Sequence, residues 1–245
     1  MFGSFQLWRD GRSIENLPGT RTPRILRYLA AQRGRPVPRE ILIDVFWPDA
    51  DTETGRRNLH QSIYQIRCAA RTAGDTSPFI AFEHDSYALD TAAGCWCDFE
   101  DLVAEGRSAE REERLDDAVD ACRRADALYS GDYLADSPYE EWAIAERERL
   151  RVAYRTMANR LADLLVQRDD RDGALVLTQR ILTLDPSDEI AHRRAMRCYA
   201  ATAERSQLVR QYEACTAALG ELCGVPPSTA TSSLFHSLME RCGNP

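Results

Sequence analysis

Lysine is absent: all 31 basic residues of the chain are arginine. With the abundance of alanine, this reflects a GC-rich coding bias rather than a mechanism. Also missing is any apolar run of the roughly 18–20 residues that a membrane span needs. The first residues show no basic stretch followed by an apolar one, as a signal peptide would. A cytoplasmic protein with no membrane partner is therefore expected. There are eight cysteines, but they lack the pattern of a metal site. The close pair Cys95-Trp96-Cys97 has no second CxxC or histidine partner at zinc-like spacing, and a cytoplasmic chain disfavours disulfides. Cys68, Cys122, Cys198 and Cys215 fall within helical patterns, where cysteine acts as a small hydrophobe. No metal and no other cofactor is expected. No GxSxG, HExxH or GxxxxGK[ST] motif occurs. The carboxylates lie on helix faces with arginine at i+3 or i+4, as in Glu146 with Arg149 or Asp120 with Arg123 and Arg124, which reads as solvated ion pairing. His84, His192 and His236 stand alone and read as satisfied surface groups. An enzyme is not expected.

The formal net charge of −8 argues at first against a nucleic-acid partner. Its distribution matters more than its sum. Residues 1–90 hold 12 arginines against 11 acids, and the rest of the chain holds 19 against 28. Two stretches are free of acid. Residues 16–39 carry Arg21, Arg24, Arg27, Arg33, Arg35 and Arg39, and residues 54–74 carry Arg56, Arg57, Arg67 and Arg71. A weakly basic first part beside an acidic second part is the layout of a DNA reader joined to an acidic scaffold.

The second of these stretches, GRRNLHQSIYQIRCAAR, is two-faced. At 100° per residue, Leu59, Ile63, Ile66 and Ala70 cluster in one arc, as a core-facing stripe does. Arg57, His60, Gln61 and Tyr64 occupy the opposite arc. A helix anchored on one side, with donors and aromatics but no anion on the other, has the character of one that enters a DNA major groove.

Around this helix the order of elements is informative. FGSFQLWRDG breaks at Asp10-Gly11 and SIENLPG at Pro18-Gly19, which reads as a small N-terminal hairpin or meander. TPRILRYLAAQRG reads as a helix with Thr22 as N-cap, Pro23 in its first turn and Gly34 at its end. PREILIDVFWP is a short helix with Pro38 at its start. DADTET follows, with Thr52 or Thr54 expected to cap the two-faced helix. RTAGDTSP is a turn, and FIAFEHDSYALD a β-hairpin around His84-Asp85-Ser86. Strands, three helices and a hairpin make a winged helix-turn-helix, α+β in class, with the third helix offered to the groove and the hairpin as the wing. From about residue 98 the pattern is entirely helical. Helix pairs recur, with Gly173 and Gln207 in equivalent places 34 residues apart, the period of tetratricopeptide repeats. An earlier pair spans Asp98 to Tyr129, a break follows from Gly131 to Pro138, and the tail CGVPPSTATSSLFHSLME ends in a capping helix. Trp47, Trp96 and Trp142 are expected in cores, and Trp96-Cys97-Asp98-Phe99 is expected to lock the junction between domains.

In order, RRNLHQSIYQIR, FWPDAD, EEWAIAERERLR, DGALVLTQRILTLDPSDEIAHRRAM and YEACTAALGELCGVPPS resemble the Streptomyces antibiotic regulatory proteins, from about Phe2 to Leu238. These are bacterial activators with an OmpR-type winged helix followed by a bacterial transcriptional activator domain. The resemblance implies domains at residues 1–93 and 97–245, the second all-α and tetratricopeptide-like, in the manner of the short family members. It implies binding to direct-repeat double-stranded DNA near promoters and recruitment of RNA polymerase. Carried over position by position, it puts His60, Gln61, Tyr64 and Gln65 at base edges, with Gln61 or Gln65 pairing to adenine. Arg56, Arg57 and Arg67 become phosphate clamps, with Arg71 in the same basic stretch. His84 and Ser86 would supply the wing contact. In OmpR-type proteins polymerase is touched by the loop before the recognition helix, here Pro48, Asp49, Asp51 and Thr52. The wing departs from the family's usual GDGYRL: it reads EHDSYAL, with Asp85 at the tip and Ala88 where arginine is common. Two rival readings stay open. One, beside the expectation that the helical domain forms a homodimer, packs against the reader or both, is a regulator whose helical-repeat domain senses a small molecule or peptide. The other is a protein-interaction adaptor with a degenerate winged helix.

Overall fold

Three helices and a small sheet close around one apolar core in the first part of the chain. The computed structural model describes residues 2, 3, 5, 8, 9, 12, 13, 17–71, 79–90 and 99–243. The chain divides into two compact units, Gly3–Trp96 and Cys97–Pro245, with Phe2 belonging to the second. The turn at Asp10-Gly11, the segment TAGDTSP and the Cys95-Trp96-Cys97-Asp98 junction lie outside the described residues.

The first unit opens with a two-residue antiparallel ladder, β1 (Trp8–Arg9) with β2 (Arg12–Ser13). Helix α1 (Arg21–Ala31) buries Ile25, Leu26 and Leu29, α2 (Arg39–Phe46) buries Leu42, Ile43 and Phe46, and α3 (Thr52–Ala69) buries Leu59, Ile63 and Ile66. Each set recurs at three- or four-residue steps, so each helix shows the shared core one stripe. A three-stranded antiparallel sheet, ordered β3 (Val37–Pro38), β5 (Ser86–Leu89), β4 (Ile80–Glu83), closes the core with Val37, Ile80, Tyr87 and Leu89. The β4–β5 hairpin turns through His84 and Asp85 with φ of 47° and 58°, the left-handed pair that a two-residue type I′ turn needs.

Several local expectations are corrected. The cap of α3 is Asp51, whose Oδ1 accepts from Glu53 N at 3.0 Å and Thr54 N at 2.9 Å; Thr52 and Thr54 are already helical. A carboxylate is the better acceptor at the positive end of a helix dipole. Thr22 does not cap α1, which starts a residue earlier; it is buried and its hydroxyl is used between helices. Pro38 precedes α2 as its N-cap and is the end of β3, where its missing N–H costs the edge strand nothing.

The second unit is helical among its described residues. Three pairs follow one another: α4 (Phe99–Arg111) with α5 (Leu115–Leu128), α6 (Glu141–Gln167) with α7 (Arg171–Leu184), and α8 (Glu189–Ala201) with α9 (Arg205–Cys223). The last helix, α10 (Thr229–Gly243), packs on α8 and α9 through Leu238, Met196 and Leu208. Small residues keep α4 and α5 close: a Cβ on Gly106 would meet Cys122 Sγ at 2.9 Å. At the junction of the first two pairs, the rings of Tyr129 and Tyr154 stack 3.6 Å apart. Tyr154 Oη donates to Asp126 at 2.7 Å, and Arg180 donates to both oxygens of Asp126 and to Tyr129 O. Burial holds the Tyr154 hydroxyl protonated, and Tyr129 is pushed up to about 12 for the same reason. Phe2 joins this cluster, its ring 4.9 Å from that of Tyr129 and its carbonyl accepting from Ser130 Oγ at 2.7 Å.

Further corrections belong to this unit. His192 is buried, not a surface group; Gln211 Nε2 donates to its Nδ1 at 2.6 Å, and its Nε2 faces Pro186 O at 2.9 Å. Arg123 and Arg124 do not pair with Asp120 along the helix; they reach Asp170, the N-cap of α7, and Glu105 on α4. The Glu146–Arg149 pair does form, at 2.7 Å. Trp47 is buried, whereas Trp142 is half-buried, with its Nε1 donating to Glu140 at 2.7 Å.

Two tests follow from this packing. A Cβ on Gly55 would lie 2.6 Å from Ile43 Cγ2, at the crossing of α2 and α3. Overpacking costs about 1–3 kcal/mol and alanine's helix propensity offsets about 1, so Gly55→Ala should lower stability of the first unit by about 1 kcal/mol in urea titration. An unchanged midpoint would show that Ile43 yields freely. The second test concerns Glu189. Burial alone would raise its carboxyl, but the donors Ser228 and Thr231, with Arg193 nearby, bring it below the usual glutamate range. A depressed carboxyl stabilises the fold above the unfolded value and loses that contribution as pH falls through the folded one. Thermal melts of Glu189→Gln and the parent chain should therefore differ at neutral pH and converge in acid below the ordinary glutamate range.

Candidate nucleic-acid interface

Burial of Leu59, Ile63 and Ile66 decides what α3 shows to solvent. Arg56, Arg57, His60, Gln61 and Tyr64 are exposed. Tyr64 is 59% accessible, a large aromatic with no packing role to explain it. Its hydroxyl is pushed above the usual tyrosine value, first by a hydrogen bond with the Cys68 thiol, while Arg71 opposes the shift. Tyr64 therefore stays a neutral donor and acceptor. Cys68 is exposed beside it, not the buried hydrophobe its helical position suggested, because residue 68 falls on the arc opposite the apolar stripe.

The ten sequence-derived DNA candidates separate into distinct classes. Arg57 has no hydrogen bond or ion pair among the described residues. Arg56 lies 3.7 Å from Glu40 with half its side chain accessible, so its charge is only lightly engaged. Arg71, at the end of α3, is exposed. Two candidates are committed elsewhere. Gln65 is half-buried, and its Oε1 accepts from Thr22 Oγ1 at 2.9 Å, so α1 uses the acceptor that a bidentate adenine contact would require. Arg67 donates through Nε and Nη2 to Ile80 O, at 3.0 and 2.7 Å, and fastens α3 to β4. Periodicity alone puts both at the border of the two faces; which way a border residue turns depends on the neighbour it finds there.

The hairpin tip has a feature that the sequence reading missed. Asp85 carries a carboxylate that would repel phosphate, but Arg39 meets it from α2. Arg39 Nη1 lies 3.3 Å from Asp85 Oδ1, and Arg39 N donates to Asp85 O at 2.8 Å. His84 is exposed, and Ser86 Oγ donates to His84 O at 3.3 Å. The available signal was Arg39 at the end of the acid-free stretch, but its partner lies 46 positions away. Further arginines of that stretch lie over aromatic rings: Arg21 over Trp47 and Arg24 over Phe46, each at 5.7 Å. The loop before α3 exposes Pro48 and Asp49, while Asp51 is held below the usual carboxylate range chiefly by the Thr54 hydrogen bonds of the cap.

A family model described as the bacterial transcriptional activator domain matches residues 97–239, the run of helix pairs. The chain belongs to that family. Among solved structures, this activator-domain chain is similar to Mycobacterium tuberculosis EmbR in complex with a low affinity phosphopeptide, at 19% identity and a TM-score of 0.79. The match covers 98% of this chain and 64% of that one, so the likeness is one of fold and this chain spans about 64% of the EmbR chain. A likeness to the TPR2B domain of yeast Sti1 in its pHsp70 complex has a TM-score of only 0.39 at 13% identity, over 59% of this chain and 95% of that one, and carries no argument. A search of curated proteins found no match. Among the described residues, no helix is long and apolar enough to cross a membrane.

The division between committed and uncommitted arginines can be measured without DNA. Arg67→Met removes both donors to a part-buried carbonyl and should cost about 1–3 kcal/mol of stability. Arg57→Ala should stay within about 0.5 kcal/mol of the parent, as surface changes do. Equal losses from the two would contradict the assignment of Arg67 as the fastener.

Proposed function

We propose that this protein is a sequence-specific DNA-binding transcriptional activator, with the exposed face of α3 as its major-groove reader and the β4–β5 hairpin as its wing. One observation carries the reading: Arg56, Arg57, His60, Gln61 and Tyr64 share an exposed helical face, and its opposite stripe is sequestered in a core. No acid occurs from residue 54 to 74. A face of this kind combines phosphate-neutralising guanidiniums with an amide able to pair bidentately and an aromatic able to pack on a thymine methyl. Membership of a transcriptional activator family supports the same direction. In this reading Gln61 and His60 meet base edges, Tyr64 packs against a methyl group, and Arg56, Arg57 and Arg71 hold phosphates. Gln65 and Arg67 position the helix instead.

The wing takes a lesser part. Arg39, which also pairs with Glu40, lies against the Asp85 carboxylate and lessens its repulsion of the backbone, and His84 is the exposed donor of the hairpin. The proposed targets are direct repeats near promoters, occupied by two copies, with Pro48, Asp49 and Thr52 as the surface that meets RNA polymerase. Asp51 belongs to that loop in position, but one of its oxygens already caps α3.

Fluorescence anisotropy with promoter and scrambled duplexes over a salt series tests the interface. Arg57→Ala should weaken binding to both duplexes and reduce the slope of log K against log salt by about one. Gln61→Ala should instead relax preference at one base pair, at a cost of about 1–3 kcal/mol. Binding that survives both changes intact would remove α3 as the reader.

A further inference from the structure

In the first helix pair of the second unit, a cleft of about 230 Å³ opens between α4, α5 and the middle of α6. Part of its chemistry is not used by the packing around it. Glu110 on α4 turns one oxygen, Oε2, towards Arg160 on α6, whose Nε donates at 2.8 Å and whose Nη2 lies at 2.7 Å. The other oxygen, Oε1, is buried, and no group among the described residues donates to it. A buried carboxylate oxygen without a donor is disfavoured, and native structures seldom leave one so without a reason. Arg107, three residues earlier on α4, lines the same cleft. It is exposed and has no hydrogen bond or ion pair among the described residues. The rest of the wall is mainly apolar, with Val103, Met157 and the buried Cys122. Burial, reinforced by the Glu110 charge, pushes the Cys122 thiol up to about 11, so it is neutral at physiological pH and offers no nucleophile.

These features narrow the ligand. An unengaged guanidinium beside Arg160 asks for an acid group, which arginine binds in a fork. The orphaned Oε1 asks for a donor, best a cationic one, within reach of that acid. The apolar wall asks for a short hydrocarbon. Water's share of liquid volume is about 30 Å³, so the cleft has room for roughly seven or eight waters, the size of an amino acid and too small for a nucleotide. We propose that this cleft is a binding site for a small aliphatic α-amino acid or its α-hydroxy counterpart, with the carboxylate on Arg107, the ammonium or hydroxyl on the Glu110 carboxylate once it turns Oε1 towards the ligand, and the side chain against Val103 and Met157. The site is independent of the DNA interface and stands whether or not α3 reads a duplex.

Isothermal titration calorimetry on the full chain tests it with five probes: L-valine, L-leucine, 2-hydroxy-4-methylpentanoate, 4-methylpentanoate and 3-methylbutylamine. At least one amino or hydroxy acid should saturate with a dissociation constant of about 0.1–1 mM, and the two compounds lacking either the donor or the acid should bind about tenfold more weakly. Preference between the amino and hydroxy acids identifies which source the cleft serves. Arg107→Ala removes an exposed, unpaired side chain, so it should keep the parent's melting temperature and weaken every carboxylate ligand about tenfold. Glu110→Gln should weaken the ammonium-bearing ligands relative to 4-methylpentanoate, which gains from the lost carboxylate charge and the released Arg160. A cleft that holds water alone would give no saturable heat from any probe at millimolar concentration, and that result overturns the proposal. So does saturable binding that Arg107→Ala leaves intact.

Discussion

The burial of Leu59, Ile63 and Ile66 is the constraint on which the first unit depends. Those side chains pack among Ile25, Leu42, Phe46 and Ile80, drawn from two other helices and the sheet. A helix has one rotational setting that buries such a stripe, and that setting turns Arg57, His60, Gln61 and Tyr64 outward together. The chemistry of the exposed face is therefore a by-product of core packing. Gly55 refines the setting by letting α3 approach Ile43.

A second theme is what arginine does in a chain without lysine. Arg147 closes the break before α6, donating to Tyr133 O, Ser137 O and Pro138 O at 3.0, 3.1 and 3.3 Å. Arg194, buried on α8, reaches Asp163, Asn159 Oδ1 and Asn159 O on α6. Arg180 ties α7 to α5 over the stacked tyrosines. A flat guanidinium with five donors can satisfy several acceptors in one plane, which a single ammonium point cannot. Many of the arginines thus join helices, and net charge says little about how many remain available to an external anion.

Much of this organisation was legible in the residues. Apolar periodicity marked α3 and the hairpin and the change to an all-helical pattern near residue 98, because burial of a continuous stripe leaves a regular signature along the chain. The 34-residue recurrence marked the helix pairs, since each pair buries the same face against the next. Several of the miscalled details are contacts with distant partners, while others, such as the Asp51 cap of α3 and the exposure of Cys68, are local. Thr22 meets Gln65, Arg67 meets the Ile80 carbonyl, and Arg39 meets Asp85. His192 was read as solvated, yet α9 supplies Gln211 to bury it.

Local periodicity and composition determined which helix would carry a cationic, acid-free face, because facing in or out follows from a 3.6-residue repeat. Tertiary structure alone decided which arginines of that face are spent on the fold and which stay unpaired. It also decided that Glu110 keeps one oxygen without a donor, in a cleft framed by three helices. A hydrogen bond depends on ångström-scale distance between groups far apart in sequence, and no spacing along the chain encodes that distance.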